Sequence, residues 1–182
     1  VDEDTARGVF SVLSSFGGYA FNKSHSISYA ITAYQTAYLK AHFPREYFAA
    51  LLSLYMDAPS RLRLYITEAR KQGLELLRPD INKSQWGFVP EGDNTLRTGF
   101  SLIKNLGTRG IETILDVRKG GDFSGFFNFC HRTSRRAVNV KALESLILAG
   151  AFDDYGLSRP AMLLSVKSAG NLNKNTIPGQ LS

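Results

Sequence analysis

The sequence predicts a mainly α-helical chain in which a small β element joins two helical parts. Two changes of hydrophobic period carry this reading. Helical spacing gives way to short β-type runs at Leu74, and these give way at Ser101 to short helices separated by tight turns. A third observation bounds the size: 182 residues with 43% hydrophobic content bury one core or two small ones, and not several independent domains.

Residues 4–15 read as the first helix, with Val9, Phe10, Val12, Leu13 and Phe16 giving an apolar face and Gly17-Gly18 a stop. A short loop leads to the clearest helix, 24–42, where Ile27, Ile31, Tyr34, Tyr38 and Ala41 recur at steps of four and three residues. Pro44 ends it. Helices at 45–56 and 59–72 follow, the latter with proline in its first turn and Gly73 as its stop. Between Leu74 and Phe100, β-type runs appear at 74–77, 86–89 and 95–100, with Pro90-Glu91-Gly92-Asp93-Asn94 as a loop between the last two. A further helix is expected near 159–168, and the polar, turn-rich run after Ala169 reads as a flexible tail.

Cys130 is the single cysteine, so no internal disulfide forms, and no Cys/His spacing matches a zinc site. No basic segment followed by an apolar run opens the chain, and no stretch reaches the ~20 apolar residues that span a bilayer. A cytoplasmic, metal-free chain is expected. Val1 is not an initiator methionine, so the sequence reads as a piece of something longer. The net charge of +6 is local: between Arg97 and Ala142 there are nine Lys/Arg against three acids, and thirteen of each elsewhere. A surface for a polyanion needs this concentration, and a solvated basic face without a ligand has it too.

Three constellations carry chemistry. The first is Phe21-Asn22-Lys23-Ser24-His25 at the start of the long helix, where unpaired N–H groups, the helix dipole, a lysine and a histidine all suit phosphate. Ser24 as a simple N-cap fits the same residues. The second, Ile103 to Ile114, has the form of a helix-hairpin-helix: Leu106-Gly107-Thr108-Arg109-Gly110 makes a tight turn that exposes N–H groups where a DNA phosphate docks without any base being read. The third runs from Phe126 to Asp153 and repeats that form, with Asn139 as N-cap, Gly150 as stop, and Arg135, Arg136 and Lys141 flanking the turn. Phe126, Phe127 and Phe129 have the spacing of a hydrophobic core rather than of a base-stacking platform.

The run Gly18-Tyr19-Ala20-Phe21-Asn22-Lys23-Ser24-His25, then Tyr29-Ala30, then Tyr34 to Pro44, is similar to the fingers segment of the bacterial DNA polymerase III alpha-subunit family of replicative (C-family) polymerases. Arg78 to Ser84 and both hairpins continue the resemblance. The family often has alanines at Ser26-Ile27-Ser28 and mostly glycine at Asn105; asparagine tolerates positive φ best among residues with a side chain, so the turn is expected to survive. The resemblance implies a multi-helix fingers segment over 1–73, a connector with a small β element over 74–100, a tandem helix-hairpin-helix domain over 101–153, and a helix with a tail over 154–182.

The resemblance further implies that Lys23, Ser24 and His25 meet the triphosphate of an incoming deoxynucleotide and that Tyr29 faces its base. Implied duplex-DNA contacts are Lys104, Asn105, Gly107, Thr108, Arg109 and Gly110 in the first hairpin, and Arg135, Arg136, Val138, Asn139 and Lys141 in the second. The family's catalytic carboxylates and their two Mg ions belong to a palm that has no counterpart in this sequence, so the chain is expected to be part of a DNA-directed DNA polymerase, a nucleotidyltransferase, and inactive alone. Gln180-Leu181-Ser182 resembles the start of a sliding-clamp-binding motif, with Gln180 and Leu181 as its contacts. The alternatives are a stand-alone helix-hairpin-helix module of a repair or recombination protein, and a purely structural domain.

Overall fold

The computed structural model describes residues 2–17 and 23–166. They fall into two bodies that divide between Phe43 and Pro44. The first holds α1 (Glu3–Gly17) and α2 (Lys23–His42). Asp2 caps α1 by accepting from the Thr5 N–H at 2.8 Å and its hydroxyl at 2.9 Å, which holds the Asp2 carboxyl below its usual range. Along α2 the hydroxyls of Ser28, Thr32 and Thr36 each donate to the carbonyl four residues earlier, and Lys40 and His42 stand at the negative end of its dipole. Neither helix buries a residue, so the expected apolar stripes of both are exposed.

The second body opens with α3 (Pro44–Leu54) and α4 (Pro59–Lys71), then β1 (Glu75–Leu77), β2 (Val89–Glu91) and β3 (Thr95–Arg97). β3 is central, parallel to β1 and antiparallel to β2, with Leu96 opposite both Leu76 and Pro90. Pro90 lies on an edge strand, where its missing N–H costs no ladder bond. The expected run at 86–89 thus becomes a strand only from Val89, and Phe100 leaves the sheet for a 3-10 turn, Phe100–Leu102. Phe48, Leu52, Ala69, Leu74, Phe88 and Leu96 form one core, in which α3 and α4 pack with the strands.

A second core belongs to α5 (Thr108–Lys119), α6 (Phe126–Arg132), α7 (Val140–Ala149), a 3-10 turn (Asp153–Tyr155) and α8 (159–166). Phe100, Phe123, Phe129 and Phe152 are its largest fully buried side chains, with Ile111, Ile114 and Leu146 among them. Phe129 meets Phe123 and Phe152 at ring distances of 5.0 and 5.1 Å in edge-on contacts. Phe126 is buried as its spacing predicts, whereas Phe127 is 62% exposed; in a seven-residue helix consecutive side chains diverge by about 100° and both cannot face one core. Gly150 ends α7 in the left-handed conformation at φ +86°, and Asn139 caps its start by accepting from the Ala142 N–H at 3.0 Å, both as the sequence indicates.

The segment 78–84 fastens the two cores to each other. Asp80 Oδ1 accepts from the N–H groups of Asn82 and Lys83, and Ser84 Oγ donates to the Thr98 carbonyl at 2.7 Å beside β3. On the other side the Ile81 N–H donates to Ala151, and Asn82 pairs with both main-chain groups of Phe123. Its polar residues are therefore structural.

Candidate nucleic-acid interface

In the first hairpin the chain leaves the 3-10 turn, reverses at Asn105, and enters α5 with Gly107 as N-cap. Asn105 adopts φ +66°, the one positive value at a non-glycine among the described residues, so the asparagine does what glycine does elsewhere in such a turn. The Leu106 N–H donates to Ile103, and those of Gly110 and Ile111 donate to the Gly107 carbonyl. The N–H groups of Gly107, Thr108 and Arg109 take no hydrogen bond among the described residues, as the first turn of a helix requires.

The second hairpin repeats this arrangement. Thr133 closes α6, the Ala137 and Val138 N–H groups donate to Ser134, and Asn139 caps α7. Here the N–H groups of Asn139, Val140 and Lys141 are left over. Arg109 and Lys141 occupy the same place, two residues after the cap, and the buried residues Gly110 and Ala142 follow each of them. A Cβ on Gly110 would lie 2.9 Å from Leu106 Cδ1 and 3.1 Å from the Ala137 carbonyl, so any side chain there requires Leu106 and the neighbouring hairpin to shift.

The nine bases of this stretch divide by use. Arg97 is buried in a pair with Glu91. Arg118 donates to the Ile81 and Ser84 carbonyls, and burial lowers its affinity for its proton. Arg132 donates to the carbonyls of Val117, Gly121 and Asp122 with its guanidinium over the Phe123 ring, and Lys119 pairs with Asp116. Lys104, Arg109, Arg135, Arg136 and Lys141 are exposed and make no ion pair among the described residues. These five lie at or beside the two turns.

Two of the expected contact residues are buried. Val138 is buried in the core and its N–H is already donated to Ser134; Gly110 is buried with its N–H donated to Gly107. Both support the turns from behind. Asn105 turns its amide to Ser145 on α7, a partner no local sequence signal reveals.

Lys23, Ser24, His25 and Tyr29 stand on the first two turns of α2 in the other body. Ser24 lies inside the helix, not before it, and the His25 and Tyr29 rings, one turn apart, meet in a tilted contact with centroids 4.4 Å apart. Gln180 and Leu181 lie outside the described residues. Among the described residues no three His, Cys, Asp or Glu side chains converge as a metal site requires. No described helix is long and apolar enough to cross a membrane.

Residues 73–162 match the helix-hairpin-helix motif family. Over 170 residues, 93% of its length, the chain is 41% identical to DNA polymerase III subunit alpha of Vibrio cholerae and 39% identical to that of Escherichia coli K12. It is 41% identical over 168 residues to that of Thermus aquaticus. The chain spans about 15% of the length of these relatives.

Proposed function

We propose that this chain, homologous over nearly its whole length to DNA polymerase III subunit alpha, is the part of a DNA-directed DNA polymerase that carries the end of the fingers and a tandem helix-hairpin-helix domain gripping duplex DNA by its backbone. One observation carries the second half: two matching turns each present three unpaired N–H groups and a base at the second helical position, with three more bases beside them. Backbone N–H groups at a helix start bind phosphate and carry no base-specific pattern, and the bases beside them add attraction to the backbone. The duplex is held in register and its sequence is ignored.

The first half rests on the relatives alone, since the similarity extends through α1 and α2 as well as the hairpins. That extent favours a polymerase over a stand-alone repair module. Lys23 and His25 would neutralise and hydrogen-bond the triphosphate of an incoming deoxynucleotide, Ser24 would join them, and Tyr29, in tilted ring contact with His25, would face the base. The exposed stripes of α1 and α2 would then pack on the remainder of the polymerase. Catalytic carboxylates and their Mg ions would come from that remainder. Gln180 and Leu181 would begin a contact with the sliding clamp.

The test is duplex affinity as a function of salt. Each phosphate neutralised releases counterions, so log affinity falls with log salt at ~0.9 per contact. A basic grip gives the same slope on unrelated sequences, and Arg135→Ala with Arg136→Ala flattens it on all of them. Binding that is insensitive to salt, or lost on one sequence only, would sink this reading.

A further inference from the structure

Asn105 stands where the turn demands a left-handed conformation, a demand glycine meets with no side chain to place. The asparagine side chain is engaged all the same: Nδ2 donates to Ser145 Oγ at 3.0 Å, 40 positions along the chain on α7. One end of this bond is the turn of the first hairpin. The other is the helix whose start forms the second.

Two phosphate sites on one rigid frame engage a duplex as a bivalent grip, because the second contact needs no further ordering once the first is made. If the hairpins hinge, that ordering is done at binding and affinity falls. Gly110 against the Ala137 carbonyl sets how closely the hairpins approach, but a van der Waals contact permits rotation. The directed hydrogen bond from Asn105 to Ser145 opposes it. We infer that Asn105 is a positioning residue for duplex binding, which, through Ser145, fixes the spacing of the N–H triplets 107–109 and 139–141 and does not itself touch DNA; this rests on the reading of the hairpins as a phosphate grip.

The experiment measures duplex affinity of the full 182-residue chain by fluorescence anisotropy at fixed salt, with melting temperature beside it. Asn105→Gly keeps the backbone conformation and removes the donor, while Ser145→Ala removes the acceptor and leaves the turn intact. Each is expected to weaken binding about threefold, as the loss of one exposed hydrogen bond allows, with no drop in melting temperature. The double variant is no weaker than either single one, because both remove the same bond. Ser145→Thr, which keeps a hydroxyl, binds as the parent does. Additive losses, unchanged affinity in the single variants, or losses that track melting temperature overturn the inference. Arg135→Ala with Arg136→Ala separates the two levels: if that variant weakens binding and the Asn105 and Ser145 variants do not, the inference alone fails; if it too binds as the parent does, the phosphate reading fails and the inference with it.

Discussion

Glu91 and Arg97 meet across the β2–β3 hairpin as a bidentate pair, Arg97 Nε to Glu91 Oε2 at 2.6 Å and Nη2 to Oε1 at 2.7 Å. The remaining guanidinium nitrogen donates to the Arg78 carbonyl, and Arg97 is only 6% exposed. Hydrogen bonding from Arg97 holds the Glu91 carboxyl below the usual carboxylate range, and hydrogen bonding from Arg159 does the same for Asp153. A carboxylate whose pKa is depressed by folding adds stability above its unfolded value of ~4, and that stability is lost as pH falls through the folded value. Thermal melts should therefore be flat from neutral pH down to about 5 and decline below ~4. Glu91→Gln should remove part of that decline, the Asp153 part remaining, and cost about 1–3 kcal/mol at neutral pH by leaving Arg97 with a weaker partner. Denaturation of the variant at both pH values checks both claims.

Asn82 closes the joint between the two cores through three hydrogen bonds. Its Oδ1 accepts from the Phe123 N–H at 2.9 Å, and its Nδ2 donates to the Phe123 carbonyl at 2.9 Å and to the Tyr155 hydroxyl at 2.7 Å. Asn82→Asp keeps the acceptor and turns a second carboxylate oxygen toward the Phe123 carbonyl, so it should destabilise by about 2–4 kcal/mol from unmade bonds in a half-buried site. Urea titration measures this. A cost below that of exposed substitutions would mean the joint is not holding the body together.

Gly110 and Gly107 are two glycines of one turn with opposite expectations. A methyl at Gly110 meets Leu106 and the Ala137 carbonyl, so Gly110→Ala should cost about 1–3 kcal/mol by forcing the hairpins apart. Nothing lies within 4 Å of a Cβ at Gly107, whose φ is −79°. Gly107→Ala should cost less than about 1 kcal/mol, the difference between the two as a cap. Equal melting temperatures would contradict the packing.

Local signals were legible in the sequence. α2 runs over Lys23–His42 where its spacing indicates 24–42, Asn139 and Gly150 bound α7, and Asn105 accepts positive φ. What the sequence hid is long-range. Arg118 and Arg132 look like Lys104 and Arg109 in a charge count, but Arg118 finds the Ser84 carbonyl 34 positions away, and nothing near it in the chain announces that partner. The same holds for Ser145 opposite Asn105 and for the parallel pairing of β1 with β3. Phe127 has the spacing of a core residue and is exposed, because three phenylalanines in four positions exceed what one helical face can bury.

In the intact polymerase, Lys23→Ala should raise the nucleotide KM or lower kcat by roughly tenfold, the worth of one charge-assisted hydrogen bond, with duplex affinity nearly intact. The separation follows from the chemistry, since the phosphate that Lys23 would meet is absent until nucleotide arrives. Steady-state kinetics with an equilibrium binding control decides it. Parallel loss of binding and turnover would indicate a folding defect.

The sharpest test of the hairpin reading uses three bases of equal charge and unequal employment. Arg109 and Lys141 hold matching positions at the two helix starts and are exposed, so Arg109→Ala and Lys141→Ala should each lower the salt slope by ~0.9, and the double variant by roughly twice that, with stability nearly unchanged. Arg132 belongs to the same stretch but is spent inside the fold, donating to the Val117 and Gly121 carbonyls at 2.8 Å each, with its guanidinium 4.7 Å above the Phe123 ring. Arg132→Ala should therefore cost stability, about 2 kcal/mol from unpaired carbonyls and lost packing, while leaving the slope of the still-folded protein where it was. Net charge changes by the same amount in all three variants, so a general attraction to DNA predicts three equal effects. A grip at the two turns predicts two changed slopes and one changed melting temperature, and a changed slope in Arg132→Ala would argue for the general attraction instead.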